Sequence, residues 1–117
     1  MRFLSIYKTV ETGSAPSHEH IKRMNALIEE GKSAGWLVAT EGCLPTRLGA
    51  RVKQSDGLVT ITDGPFTEAK EVVGGFAILR ASSRDEAVAL TRRFLALAGD
   101  GECELRELYE APVCQPA

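Results

Sequence analysis

The stretch VVGGFAILRASSRDEAVALTRRFLALAGDGECELRELYE, Val72–Glu110, decides how this chain folds. Its first ten residues are almost continuously apolar and rich in strand formers, so VVGGFAILRA reads as a strand. Gly74 and Gly75 inside it predict a bulge, or a place where another group approaches the backbone closely. Ser83 and Glu86 then stand at capping-box spacing. Ala87, Leu90, Phe94 and Leu97 recur on one face of the helix that follows, and the run Gly99-Asp100-Gly101 ends it. ECELRELYE returns as a strand. The stretch is one strand–helix–strand unit.

The N-terminal part repeats the plan. RFLSIYKTV, Arg2–Val10, alternates Leu4 and Ile6 against Phe3 and Tyr7 and reads as a strand. ETGSAPS is loop, and Ser17 is placed to cap a helix whose apolar side runs Ile21, Met24, Leu27, Ile28 and which ends before Gly35. WLVATEGC is a second strand. Between the two units LPTRLG turns, and ARVKQ pairs with LVTIT across Ser55-Asp56-Gly57, whose Asp-Gly is a strong hairpin signal. Two strand–helix–strand units with a hairpin between them predict an α+β fold: a ferredoxin-like antiparallel sheet with both helices on one face and an inserted β-hairpin. The bare sheet face predicts a homodimer that packs two sheets together. The space between sheet and hairpin is the expected ligand pocket.

With 117 residues, 44% hydrophobic and 26% charged, the chain suits one core, so residues 1–110 are expected to form one domain and 111–117 a loose tail. Fourteen Lys and Arg against sixteen Asp and Glu, interspersed, argue against nucleic acid and anionic membranes as partners. No apolar run reaches the ~20 residues of a membrane span, and the N-terminus lacks a signal-peptide pattern, so a cytoplasmic protein is expected. Cys43, Cys103 and Cys114 form neither a disulfide framework nor a zinc pattern, and reduced thiols are expected, with no metal and no cofactor. EEGKS ends like a phosphate loop, but the first glycine of that motif would fall on Ala26.

The segment TITDGPFTEAKEVVGGF, Thr60–Phe76, carries more chemistry than a turn needs. Here, and in AGWLVATEG, ARV and the helix that begins SRDEA, the chain resembles the DGPF family, a branch of the YCII-related proteins, over roughly residues 2–110. The resemblance implies a ferredoxin-like domain that dimerises into an α+β barrel. It also implies an association with extracytoplasmic-function sigma factors, beside which some DGPF proteins are encoded or to which they are fused. For the broader group a His and Asp pair has been proposed as the active site. Asp63 matches that Asp, whereas Met24 or a neighbour stands near where the helix His is expected, with His18 and His20 upstream.

The residues themselves offer a candidate site. Asp63, Gly64, Pro65 and Phe66 form a stiff turn that aims a carboxylate and an aromatic ring at a cleft, with Lys70 as a nearby cation. Asp63 is also placed to close an Asx-turn. Glu41 is a second strand-end acid that would pair with Asp63 if both face one mouth. Arg47 and Arg51 on the hairpin are placed to hold an anion. His20, in the first turn of a helix, is the candidate acid/base partner of Asp63. Three functions remain open at this level: a small-ligand-binding dimer, an enzyme using Asp63, either orienting His20 or as the base itself, for isomerisation or elimination on a small ring compound, and a dimerisation scaffold for protein partners.

Overall fold

The structure is a computed structural model, and it describes residues 1–110; the expected tail and Cys114 lie outside the described residues. The elements follow the order β1 (Arg2–Thr9), α1 (His18–Ala34), β2 (Leu37–Gly42), a short 3₁₀ helix (Thr46–Leu48), β3 (Ala50–Ser55), β4 (Leu58–Asp63), β5 (Val72–Arg80), α2 (Arg84–Ala98) and β6 (Glu102–Glu107). Four strands make an antiparallel sheet in the order β2-β5-β1-β6, and β3 pairs with β4 as a separate two-stranded sheet. This is the ferredoxin-like plan with a hairpin inserted between its halves.

Local chemistry explains the boundaries. Ser17 Oγ accepts the His20 N–H at 3.1 Å and Ser83 Oγ accepts the Glu86 N–H at 3.1 Å, so each helix starts on a side chain that satisfies an orphan donor. The second cap differs from a standard box: the Glu86 carboxylate reaches past Ser83 and accepts from the Ser82 N–H at 3.1 Å and the Ser82 hydroxyl at 2.8 Å. The hairpin turns on Asp56 and Gly57, with φ of 50° and 79°, as a two-residue connection requires. Opposite β1 the register slips between Tyr7 and Lys8, leaving Gly74 as the extra residue of a bulge.

Register also sorts the two sheet faces. Phe3 lies opposite Leu79, Ser5 opposite Ala77 and Leu105, and Leu37 opposite Leu79. This set faces the helices, where Phe3, Leu37, Leu79, Ala81 and Ala87 form the buried core with Ile28, Trp36 and Leu90 packed against it. The other set, Leu4 with Ile78 and Ile6 with Phe76, faces away from the helices and is only half-buried. At its margin Lys8 Nζ donates to Glu104 at 3.0 Å, and Arg106 reaches the same carboxylate at 3.2 Å.

Two expectations need correction. The stripe Met24, Leu27, Ile28 predicts core, yet α1 buries only Gly31 among its residues. Ile28 packs against the core cluster, while Met24 and Leu27 are half-buried and border open space. The hairpin, expected to roof a pocket with the sheet, has every residue of both strands exposed, and none of them lines the cleft between the helices and the sheet.

Candidate functional site

The open space on the helix side is a cleft of about 490 Å³, within the range of small-molecule sites. Met24 and Leu27 line it from α1, and Leu90 and Phe94 from α2. Tyr7, Gly75 and Ala77 line it from the sheet, and Tyr7 meets the Phe94 ring edge-on at 5.1 Å. At one end the helices are tied: Arg93 pairs with Glu30 at 2.8 Å and lies 5.7 Å above the ring of Trp36, which also lines the cleft. Pro16 and His20 border the cleft from the loop before α1 and from its first turn.

Most polar side chains around the cleft are committed. The Tyr7 hydroxyl donates to the Asp100 carbonyl at 3.0 Å, Thr40 to the Phe76 carbonyl at 2.8 Å and Thr91 to the Ala87 carbonyl at 2.8 Å. Burial pushes the Cys103 thiol up, partly offset by its hydrogen bond with Ser5. His20 is half-buried, and its ring is engaged in no side-chain hydrogen bond among the described residues. The glycine pair of β5 is accounted for without a ligand. A Cβ on Gly75 would sit 2.7 Å from the Glu41 carbonyl, and one on Gly74 3.2 Å from the Tyr7 ring. The close approach expected at these positions is that of strand to strand and of Tyr7 to backbone.

Asp63 to Phe66 lie elsewhere. Asp63 closes β4 opposite Ala50, is exposed, and is not part of the cleft lining; its carboxylate closes no Asx-turn among the described residues. The turn instead packs against the 3₁₀ helix. Gly64 N–H donates to the Gly49 carbonyl at 2.9 Å, the Gly64-Pro65 bond is cis, and Phe66 N–H donates to Thr46 Oγ1 at 3.3 Å. A Cβ on Gly64 would fall 1.6 Å from the Thr46 carbonyl oxygen, so glycine is required there for space. Its φ lies outside the left-handed region, so the requirement is one of space and not of conformation. Phe66 carries the Arg51 guanidinium 3.9 Å above its ring, and Arg51 pairs with Glu68. Arg51 is therefore already engaged by an aromatic ring and an acid.

Thr46 is the hub of this arrangement, and its second partner is a residue the sequence did not single out. Thr46 N–H and Oγ1 donate to the two carboxylate oxygens of Glu11, at 2.8 and 2.6 Å. These bonds hold the Glu11 carboxyl below its usual range and pin the β1–α1 loop to the base of the hairpin. Since 35 residues separate the partners, no local pattern announces the contact.

The remaining candidates are dispersed. Glu41 borders the cleft, but its register partner is Phe76, so its side chain belongs to the face turned away from the helices, on a different sheet from Asp63. Arg47 lies exposed in the 3₁₀ helix, Lys70 is exposed after the turn, and neither joins an ion pair among the described residues. Of the predicted site residues, His20 and Glu41 alone touch the cleft. Among the described residues no group of three or more His, Cys, Asp or Glu is placed to hold a metal ion, and no helix is long and apolar enough to cross a membrane.

Comparison with known proteins gives the chain relatives. The chain is 32% identical over 107 residues to an uncharacterised protein of Rhizobium meliloti (strain 1021), covering 87% of this chain and 86% of that one. The model of the YCII-related domain matches residues 1–111, nearly the whole chain, and the chain therefore belongs to the YCII-related family.

Proposed function

We propose that this chain is a small-ligand-binding protein of the DGPF branch, working as a homodimer, with its ligand in the cleft between the helices and the sheet. One observation carries the proposal: an apolar cleft of about 490 Å³ lies where a packed core is expected, with His20, whose ring has no side-chain partner among the described residues, at its border. Small-molecule sites have this character, concave and apolar with few placed polar groups. In this reading the Asp63–Phe66 turn serves the site indirectly, holding Thr46 and through it the Glu11 loop that runs toward Pro16 and His20. The homodimer is supported by the half-buried apolar face of the sheet and by the hairpin, where Val52, Val59 and Ile61 share one exposed face. A two-stranded hairpin is marginal alone and gains stability when that face is covered. DGPF membership further proposes a cytoplasmic role beside an extracytoplasmic-function sigma factor.

A thermal-shift screen against small molecules tests the proposal. A hit is expected to lose its stabilising effect in Met24→Trp, which fills the cleft, and to keep it in the double variant Asp63→Ala, Phe66→Ala. Stabilisation lost in the double variant and retained in Met24→Trp would place the site at the turn and restore Asp63 as its acid.

A further inference from the structure

The wall of the cleft also restricts what can enter it. Of the four hydroxyls on it, those of Tyr7, Thr40 and Thr91 already give their protons to backbone carbonyls, and the buried Ser5 hydroxyl is bonded to the Cys103 thiol, so none is free to offer a ligand its proton. The fixed charges are elsewhere. Glu41 is the one carboxylate residue on the lining, and alternation along β2 directs its side chain to the opposite sheet face, with Phe76. Arg93 and Glu30 neutralise each other at the tied end. A charged group carried into such a space loses its hydration and gains no counter-charge, which is costly. An apolar body loses nothing and covers Met24, Leu27, Leu90 and Phe94. What remains for hydrogen bonding is the half-buried His20 ring at the border and, further along α1, the exposed Asn25 amide.

Resting on the binding reading above, we infer that the cleft takes an uncharged molecule with a compact apolar body and a single hydrogen-bonding head, the body between the helices and the head at His20. An imidazole ring offers hydrogen-bonding nitrogens, so a hydroxyl or carbonyl head is matched and an apolar end is not.

Trp36 is the single tryptophan and lines the cleft, so its one indole N–H resonance reports occupancy. The probes are three adamantanes of the same body and different charge: adamantanol, adamantanecarboxylate and adamantanammonium, titrated at pH 7.5 into ¹⁵N-labelled protein. Adamantanol is expected to shift the Trp36 resonance saturably, at least ~10-fold more tightly than either ion, a gap of about 1.4 kcal/mol. His20→Ala is expected to weaken adamantanol several-fold while leaving the ions unchanged, and Met24→Tyr, which crowds the cleft without adding a second indole, to weaken every probe that binds. Either ion binding in the cleft as tightly as the alcohol would overturn the inferred ligand class and leave cleft binding intact. Equal binding of adamantanol to the wild type and His20→Ala would overturn the role given to the head. If none of the three moves Trp36, both the class and the cleft reading fail.

Discussion

At the scale of single residues, Gly64 and Glu11 bear most weight. Gly64 meets the Thr46 carbonyl so closely that even one methyl group forces the turn away from the 3₁₀ helix. Gly64→Ala is expected to cost about 1–3 kcal/mol by urea denaturation, as overpacking at a rigid contact does. A cost under ~0.5 kcal/mol would show that the turn moves freely. Glu11 gives the fold a response to acid. Its carboxyl lies below the usual range because of the Thr46 hydroxyl and N–H. Glu86 is lowered by the Ser82 hydroxyl and N–H, and Glu104 by Lys8 and then Arg106. Each binds its proton more weakly in the folded chain than in the unfolded one. The stability they contribute is therefore complete above the ordinary carboxyl value of 4.5 and is lost as pH falls through the lowered folded values. The urea midpoint is expected to be flat from pH 7 to about 5 and to drop below that. In Glu11→Gln the drop should be shallower; an identical pH profile would mean the Glu11–Thr46 contact is absent in solution.

At the scale of elements, Phe94 separates a closed core from a cleft. Its helix face reads as core, and truncating a fully buried Phe costs ~3–5 kcal/mol. The ring is instead half-buried on the cleft wall, held edge-on by Tyr7. Phe94→Ala is therefore expected to cost only about 1–2 kcal/mol in thermal or chemical unfolding; a loss above 3 would mean that α2 closes onto α1. The same contrast marks what the sequence makes legible. Ser17, Ser83, Asp56-Gly57 and the alternation of β1 act within a few residues, so helix starts, hairpin and sheet faces could all be read. The stripe Ile21, Met24, Leu27, Ile28 records that one helix face is apolar, but periodicity carries no measure of the distance to the next layer. Gly64 could be read as a special position, but conformation and space leave the same residue type behind. Glu11 could not be read, because its partner is remote in sequence and a loop glutamate has no distinguishing neighbours.

At the scale of the whole molecule, the proposed homodimer rests on two apolar surfaces that one chain leaves uncovered. The sheet face with Leu4, Ile6, Phe76 and Ile78 and the hairpin face with Val52, Val59 and Ile61, 56–71% exposed, are expected to be covered by a second copy. Sedimentation equilibrium should give twice the 12.6 kDa chain mass, and Ile78→Lys should shift the chain toward monomer. A wild-type chain that stays monomeric at high micromolar concentration would require another cover for these faces. The central claim concerns the space on the other side of the sheet, and the most direct test is a crystal structure of the chain with a thermal-shift hit bound. The account predicts the molecule between α1, α2 and the sheet, against Trp36 and Phe94 with its polar head at His20. A molecule held at the Asp63–Phe66 turn, with the cleft empty, would contradict it.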